Sequence, residues 1–426
     1  MKIEKVPLLT SKEDFFKLFI LSLFILLYSL LIEYNNYKNL TQFESALTQT
    51  TLIKFYNKTR ISSKGKRTIY QVLKLKSKKG FSFYTTSYKK LELKYGLEIN
   101  MEIFAGDISF YEYLTSFYAN SKILSITNNN SYKEKLNTFI ALSHTNSASQ
   151  EVYQALYCAT PLSREVQQKF STLGISHIFA ISGFHLGVLS SILFFLIRYP
   201  YKILQNNYFP YRNSKRDIFL IISSILFVYL LFLNYPPSLL RAYSMLVVGF
   251  ILYDRGIEII SMQTLALTTT ILIAVFPRLF FSLGFWLSIA GVFYIFLFLI
   301  YFKSLSKVLQ FLILPIWVYL FMLPYSLIIF GNFSIYHPLS IVLSTLFTLF
   351  YPLSIIIHFV GFANLFDTAI ESILLLANKS THIVINTKLL YVDVILSLLS
   401  IYSKYIMAIL MFFIFCTLFY AISFVY

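Results

Sequence analysis

The chain has 426 residues, of which 57% are hydrophobic and 13% charged, with 36 Lys and Arg against 19 Asp and Glu. Several apolar runs reach about 18 residues, the length that spans a bilayer, which excludes a soluble globular protein. The formal charge of +17 favours a polyanionic partner, either nucleic acid or anionic lipid, although a biased genome composition would also explain part of the lysine. Two cysteines, Cys158 and Cys416, are too few for a disulfide framework.

The first 176 residues are predicted to form three regions. Residues 1–36 hold an apolar run followed by the polar sequence EYNN, with no small-residue cleavage site, which predicts a retained membrane anchor. Residues 37–125 carry short β-rich runs separated by Gly, Ser and Lys, which predict a small antiparallel barrel or sandwich. Residues 126–176 change to an amphipathic helical pattern and are predicted to form a connector.

Residues 177–426 are predicted to form a transmembrane domain. Two amphipathic segments, residues 365–377 and 389–402, leave the number of crossings open. Together with the anchor, the pattern predicts a polytopic α-helical membrane protein of about 8–10 membrane segments. The apolar segments lie near residues 177–199, 218–234, 240–253, 256–276, 279–302, 308–330, 338–360 and 405–426.

The charges of the short loops predict the orientation. The most basic short loop, residues 198–216, is placed on the cytoplasmic side. The alternation of spans then puts residues 37–176 outside the cytoplasmic membrane, because long translocated domains are exempt from the charge rule. Arg278 is the one basic residue that runs against this assignment.

Two histidines, His177 and His185, lie at the start of a membrane-length apolar segment, in the sequence GISHIFAISGFHLG of residues 174–187. On an unbroken helix they are separated by about 12 Å of rise, too far to bind one metal ion, so convergence requires a break at Ser182-Gly183. We expect one or both to line a polar passage. The alternatives are histidines hydrogen-bonded between packed helices, and a metal or catalytic dyad.

Arg241 begins a short apolar segment, in the sequence PPSLLRA of residues 236–242. An arginine there is costly in lipid and suits contact with phosphate, while anchoring at the membrane interface is an equal alternative. Further along, Trp286 and Ser288 lie in the sequence GFWLS of residues 284–288. Small and aromatic residues on a span are, by themselves, typical of helix packing.

Lysines and aromatic residues interleave in the β-rich region. Cations that follow a phosphate backbone beside rings on which bases stack are the physical basis of single-strand binding. The alternative is a solvated lysine face over an aromatic core. The DNA-binding candidates are Lys54, Lys74, Lys76, Lys78, Lys79, Lys89 and Lys90.

Four motifs resemble those of the ComEC family of competence proteins, which are inner-membrane DNA uptake channels. Residues 174–185 resemble the family signature G-L-x-H-L-x-A-I-S-G-x-H, with apolar departures at Ile175, Ile178 and Phe179. Residues 237–242 (PSLLRA) resemble its P-S-x-x-R-A element, residues 284–288 its GFWLS segment, and residues 333–339 (FSIYHPL) the span junction that follows. Ser340 departs from the asparagine expected there.

The resemblance implies an OB-fold domain outside the membrane and a helical domain that passes one DNA strand into the cytoplasm. Many members also carry a metallo-β-lactamase-like domain that resembles a nuclease. This sequence shows no His-x-His-x-Asp-His motif and resembles a short form without that domain. Phosphate-binding glycine loops and zinc-ligand spacings are also missing from the sequence, so we expect no cofactor and no enzymatic activity.

We therefore expect an inner-membrane channel that translocates single-stranded DNA into the cytoplasm during natural transformation, with the β-rich domain in the periplasm. The expected partners are single-stranded DNA, the membrane, a periplasmic DNA receptor and a cytoplasmic helicase-type motor or strand-binding protein, with a homo-oligomer as an option. The alternatives are an intramembrane hydrolase that uses Ser182 with a histidine, for which no orienting carboxylate lies nearby in sequence, and a transporter of a small anionic solute. The DNA-path candidates are His177, Ser182, Gly183, His185, Arg241, Trp286 and Ser288.

Overall fold

The architecture comes from a computed structural model that describes residues 12–61, 67–88, 97–127, 132–179, 183–233, 235–257, 260–378, 381–383 and 385–424. These residues divide into two compact units. The sheet unit consists of Ser11–Phe139 and Thr270–Leu283, and the helical unit of Ile140–Thr269 and Gly284–Tyr426. The sheet unit therefore holds the β-rich region together with residues 270–283 of the predicted transmembrane region, and the rest of that region lies in the helical unit.

The sheet unit contains strands β1 (Ala46–Ile61), β2 (Arg67–Ser77), β3 (Ser82–Ser87), β4 (Glu98–Phe104), β5 (Phe117–Tyr118) and β6 (Asn120–Thr127), together with helices α1 (Lys12–Thr41) and α2 (Phe110–Leu114). The strands form one sheet in the order β5-β3-β2-β1-β4-β6, and β3 and β5 make its one parallel pair. A single residue, Ala119, separates β5 from β6, so one bent segment pairs with both ends of the sheet. The sheet is therefore drawn into a half-barrel.

The strands bury one face of the sheet more than the other. On β2, Leu73 and Leu75 are fully buried, whereas Lys74 between them lies on the opposite face. The inner face packs against Phe83 of β3 and Met101 of β4, both fully buried. Because successive side chains of a strand point to opposite faces, one face of the sheet forms the core and the other carries the lysines.

The helical unit begins within helix α3 (Tyr132–Ser143) and ends with the last apolar helix. It also contains a two-stranded ribbon of β7 (Asn332–Phe333) and β8 (Thr381–His382). Its remaining helices are α4 (Ser147–Cys158), α5 (Arg164–Thr172), α6 (Ser176–Phe179), α7 (Gly183–Tyr208), α8 (Ser214–Phe232), α9 (Pro237–Asp254), most of α10 (Met262–Val275), α11 (Leu283–Tyr301), α12 (Lys307–Phe330), α13 (Leu339–Val360), α14 (Asp367–Leu375), α15 (Lys388–Leu399) and α16 (Lys404–Ser423).

Six described helices are long and apolar enough to cross a membrane, namely Phe16–Thr41 of α1 and the helices α7, α11, α12, α13 and α16. The chain is therefore a multi-pass membrane protein, with fewer such helices than the eight to ten segments predicted. Helix α8 is not among these six, because Lys215, Arg216 and Asp217 occupy its first turn and leave a shorter apolar remainder. The segment predicted over residues 256–276 shortens to α10, whose 14 residues give about 21 Å, less than the hydrocarbon thickness.

Local sequence determines where the long helices end. Gly331 and Gly361, with φ of 67° and 90°, end α12 and α13 in the left-handed conformation that glycine adopts without strain. Ser306 begins α12 by accepting the backbone N–H of Leu309. Ser306 and Gly331 thus bound α12, and Gly361 ends α13 after 22 residues, a length that matches the bilayer.

Helices α4 and α5, which follow Ile140 in the chain, belong to the same compact unit as α13. Near the start of α13, the Ser171 hydroxyl of α5 accepts a hydrogen bond from the Asn332 amide at 3.3 Å. Near its end, the Tyr157 hydroxyl of α4 donates to the Ser354 hydroxyl at 2.7 Å. The second half of the predicted connector therefore shares one compact unit with the apolar helices.

Candidate functional site

The first motif is divided between two helices. Helix α6 carries His177, and α7 begins at Gly183, while residues 180–182, including Ser182, lie outside the described residues. The two histidines are thus not on one continuous described helix. Such a break was required for the two side chains to converge. Both contact the same neighbour, helix α13.

His177 and His185 meet α13 in different ways. His177 is exposed, and its Nε2 lies 3.4 Å from the Ser344 hydroxyl. His185 is buried, and its ring makes edge contacts with Tyr351 and Phe347 at centroid distances of 4.8 and 5.4 Å. His177 therefore lies at the surface of the helical unit, whereas His185 packs between helices, the structural alternative that the sequence had left open.

The second motif lies directly against the first. A Cβ added to Gly183 would lie 3.4 Å from the Ala242 Cβ, so the start of α7 approaches α9 closely. Arg241, the neighbour of Ala242, is buried with 6% of its surface exposed. Its Nη1 donates to the carbonyl of Gly284 at 2.9 Å, and its guanidinium lies 5.9 Å from the centre of the Phe285 ring.

The third motif completes this contact with α11. Gly284 supplies the acceptor for Arg241, and Phe285 is fully buried beneath the guanidinium. Trp286 is 42% exposed and makes an edge contact with the Phe285 ring, while Ser288 lies two residues further along and is half-buried. Of the two residues predicted here, Trp286 is thus in contact with the Arg241 site through Phe285.

The fourth motif contacts the first, because its His337 lies against Gly174. Gly174 adopts a φ of 71°, and a Cβ there would lie 2.7 Å from the His337 ring. The His337 Nδ1 lies 3.1 Å from the Tyr319 hydroxyl of α12, and its ring stacks on Phe333. Burial, with a smaller contribution from His177, lowers the pKa of His337 to about 4. His337 is therefore a neutral packing residue at physiological pH.

All four motifs, of which the first starts at residue 174 and the last at residue 333, thus converge within the helical unit. Beside them an open groove of about 450 Å³ runs between α7 and α13. Its lining is mainly apolar, with two hydroxyls, and consists of Phe184, Gly187, Val188, Ser191, Ile192 and Thr348. The α13 side of this region was not identified from the sequence, because its contacts repeat at helical spacing in an apolar segment that carries no distinctive motif.

In the sheet unit, a row of cations and aromatic rings crosses four strands. Lys54 of β1 is the cross-strand partner of Lys74 on β2, which pairs with Tyr84 on β3, which pairs with Tyr118 on β5. The Lys74 ammonium lies 5.1 Å from the centre of the Tyr84 ring. We refer to these four residues as the cation–aromatic row.

The other lysine candidates lie outside the cation–aromatic row. Lys76 is half-buried, and burial together with the nearby Arg278 cation lowers its pKa. Lys78 and Lys79 are exposed at the β2–β3 turn, where Lys78 lies 3.8 Å from the Glu98 carboxylate. Lys89 and Lys90 fall outside the described residues.

Comparison with known proteins gives one match. The model of the competence protein family matches residues 159–425, which include all four motifs and every described helix from α5 onward. No curated protein and no solved structure matches the chain. Because the family match covers more than half of the sequence, the chain belongs to the competence protein family, that of ComEC-like proteins, with a role in DNA uptake for competence.

Proposed function

We propose that this chain forms a channel in the cytoplasmic membrane through which single-stranded DNA enters the cell during natural transformation. One observation carries the proposal, namely a buried arginine at the point where the family motifs meet. In this proposal, Arg241 contacts the phosphate backbone of the strand, and His177 lines its path.

The surroundings of Arg241 are neutral. Its contacts are the Gly284 carbonyl and the Phe285 ring, and within the part of the chain that the structure describes no carboxylate forms an ion pair with it. A buried charge without a counter-ion is costly, and more so in a membrane domain. A phosphate would supply the missing charge, and the planar guanidinium suits it as a ligand.

The cation–aromatic row supports a DNA-receiving role for the sheet unit. Lys54 and Lys74 are cross-strand partners, and like charges placed directly opposite each other in a sheet repel. A nucleic acid backbone would neutralise both, and Tyr84 and Tyr118 would offer rings for base stacking. The strand order and the bent β5–β6 segment support a barrel of the OB type.

The wider setting is part of the proposal. We place the sheet unit in the periplasm, where a DNA receptor would deliver the strand. A cytoplasmic helicase-type motor or strand-binding protein would draw the strand inward. Several chains would together form the pore if the protein is a homo-oligomer.

The test compares Arg241→Gln and Arg241→Lys with Arg198→Gln, a matched loss of charge at an exposed arginine of α7. Chromosomal transformants and the arrival of labelled DNA in periplasm and cytoplasm are measured in cells with equal amounts of membrane-inserted protein. We expect Arg241→Gln to lower cytoplasmic arrival about tenfold to a hundredfold, because a hydrogen-bonded charge contact is lost. Arg198→Gln should leave arrival unchanged.

Two outcomes would contradict the proposal. If Arg241→Gln cells transform at the parental rate, Arg241 does not contact the phosphate backbone. If DNA reaches the cytoplasm of a deletion strain, the chain is not the channel. A carrier of a small anionic solute would instead move its solute with no dependence on DNA. Uptake of a labelled anion that persists in cells without added DNA would favour this alternative.

A further inference from the structure

A cluster outside the motif site joins the helix α4 region to the end of α13. His144, between α3 and α4, has a fully buried side chain, and its Nδ1 lies 2.8 Å from the Asp367 Oδ1. Its Nε2 lies 3.1 Å from the Nε2 of His358, in the last turn of α13. The His144 ring also stacks on Tyr153 of α4, with centroids 4.2 Å apart and planes 7° from parallel.

The hydrogen-bond partners fix how many protons the cluster holds. The His358 Nδ1 lies 2.6 Å from the carbonyl oxygen of Ser354, and because a carbonyl only accepts, this Nδ1 carries a hydrogen. One proton also lies in the hydrogen bond between the His144 Nδ1 and the Asp367 carboxyl group, bonded either to the nitrogen or to the oxygen. Both Nε2 atoms would then present lone pairs to each other, so a further cation must lie between them.

A single proton satisfies this requirement. With it, two imidazoles and one carboxylate hold three protons in three hydrogen bonds, and their net charge is zero. A divalent metal ion would leave an excess positive charge in a buried site and would need further ligands. Among the described residues, no group of three or more His, Cys, Asp or Glu side chains is arranged to hold a metal ion.

We propose that His144 and His358 share one proton, and that this proton locks the α4 region to α13 and α14. Loss of the proton leaves two lone pairs facing each other, and a second proton puts two N–H groups face to face. Both changes are repulsive, so the contact is stable only within a band of pH. Because α13 also contacts His177 and His185, the lock constrains the helix that borders the candidate DNA path.

Few other ionisable groups face the pair. From α4, Tyr153 stacks on His144 and the Tyr157 hydroxyl lies 3.5 Å from the His358 Nδ1. Burial raises the pKa of both phenols, so they stay neutral and do not titrate near pH 7. From α13, Tyr351 packs on Tyr157.

Two acidic residues on the neighbouring helices α4 and α14 have other surroundings. The Glu151 carboxylate of α4 accepts the backbone N–H of Ser163 at 3.1 Å, and Glu371, one turn along α14, is exposed. In the part of the chain that the structure describes, Asp367 is therefore the charged group that contacts either imidazole. The proton that the test follows is therefore the one between the two Nε2 atoms.

The native cysteines allow a direct test on the full chain. Cys158 is buried at the end of α4 and Cys416 is exposed, so a Cys416→Ser background leaves one reporter thiol. Maleimide labelling of Cys158 is measured between pH 5 and pH 9 and divided by the rate of the denatured chain at the same pH, which removes the effect of thiolate content. We expect Cys158 to be protected within a band of pH. Labelling should be about tenfold faster at lower and at higher pH, because a charge-assisted hydrogen bond is lost there.

Three variants separate the shared proton from simple packing. His358→Gln should stay protected at every pH, because its amide N–H donates to His144 without an extra proton. Asp367→Asn should lose protection at a lower pH on the alkaline side, because the shared proton loses its counter-charge. Tyr153→Phe keeps the stacked ring and should show the parental profile.

Several results would contradict the shared proton. Protection of the parent that does not vary with pH would overturn the proposal, as would a pH band that persists in His358→Gln. Protection that is lost on adding EDTA at neutral pH would show that a metal ion, and not a proton, joins the two rings. If His358→Gln fails to reach the membrane, the shift in Asp367→Asn decides the question, and an unshifted band overturns the proposal.

Discussion

Arg278 and Glu33, which are 245 residues apart, form a two-pronged ion pair in which Nε and Nη2 each donate to a carboxylate oxygen at 2.8 Å. The Arg278 Nη1 also donates to the carbonyl of Gly80 at 3.3 Å, and the guanidinium lies 4.6 Å over the Tyr113 ring. Arg278 was the one basic residue that opposed the orientation predicted from loop charges. Its charge is neutralised inside the sheet unit, so it carries no topological information.

This ion pair should contribute to stability through coupling. Glu33→Gln and Arg278→Gln are each expected to lower the free energy of unfolding by about 1–3 kcal/mol, since each leaves a partly buried charge unpaired. The side chains are 19% and 20% exposed, so solvent screening holds the loss below that of a fully buried pair. Denaturant unfolding of the full chain should show that the double variant costs less than the sum of the single variants, and strict additivity would contradict the pairing.

The contact between Gly174 and His337 should not tolerate a side chain. Gly174→Ala adds a Cβ 2.7 Å from the imidazole and forces a left-handed φ of 71°, which alone costs about 1–2 kcal/mol. We expect reduced membrane-inserted protein and strongly reduced transformation. Gly249→Ala is the matched control, because nothing lies within 4 Å of its added Cβ. Equal behaviour of the two variants would show that the close approach is unimportant.

The buried His337 should make stability depend on pH. Its folded pKa of about 4 lies below the ordinary 6.5, so the unfolded chain binds more protons between these values. The contribution is fully present above pH 6.5 and is lost as the pH falls toward 4, by about 3 kcal/mol in total. The measurement is the thermal midpoint of the parent and of His337→Gln in detergent from pH 8 to pH 4. The advantage of the parent should shrink on acidification, and a constant difference would refute the assignment.

The cation–aromatic row should be visible in the salt dependence of DNA binding. Each phosphate contact that is lost reduces the slope of log affinity against log salt by about 0.7 for a single strand. We therefore expect Lys54→Gln and Lys74→Gln each to lower the slope by that amount for the full chain binding an unstructured oligonucleotide. Lys303→Gln, an exposed lysine between α11 and α12, is the control. An unchanged slope in both the Lys54→Gln and the Lys74→Gln variants would show that the cation–aromatic row does not contact DNA.

Several features could be predicted from local sequence because their cause is local. Apolar runs of bilayer length predicted a polytopic helical protein, and the short β-rich runs of residues 37–125 predicted a small antiparallel barrel or sandwich. The count of spans was less accurate, because the charges at the start of α8 and the shortness of α10 depend on where helices begin and end. The four motifs identified the family, and their order placed the candidate site in the helical unit.

Tertiary structure decided which side chains meet. The sequence alone determined the class of protein, its apolar helices and the residues of the family motifs, since these follow from hydrophobic length and short-range spacing. Only the fold determined that His185 packs on Tyr351, that Arg241 reaches Gly284, and that His144 lies between His358 and Asp367. These partners are tens to hundreds of residues apart, and no periodicity records such a pairing. Each exists because burial of a charge or ring requires a specific neighbour, which the packing of separate helices supplies.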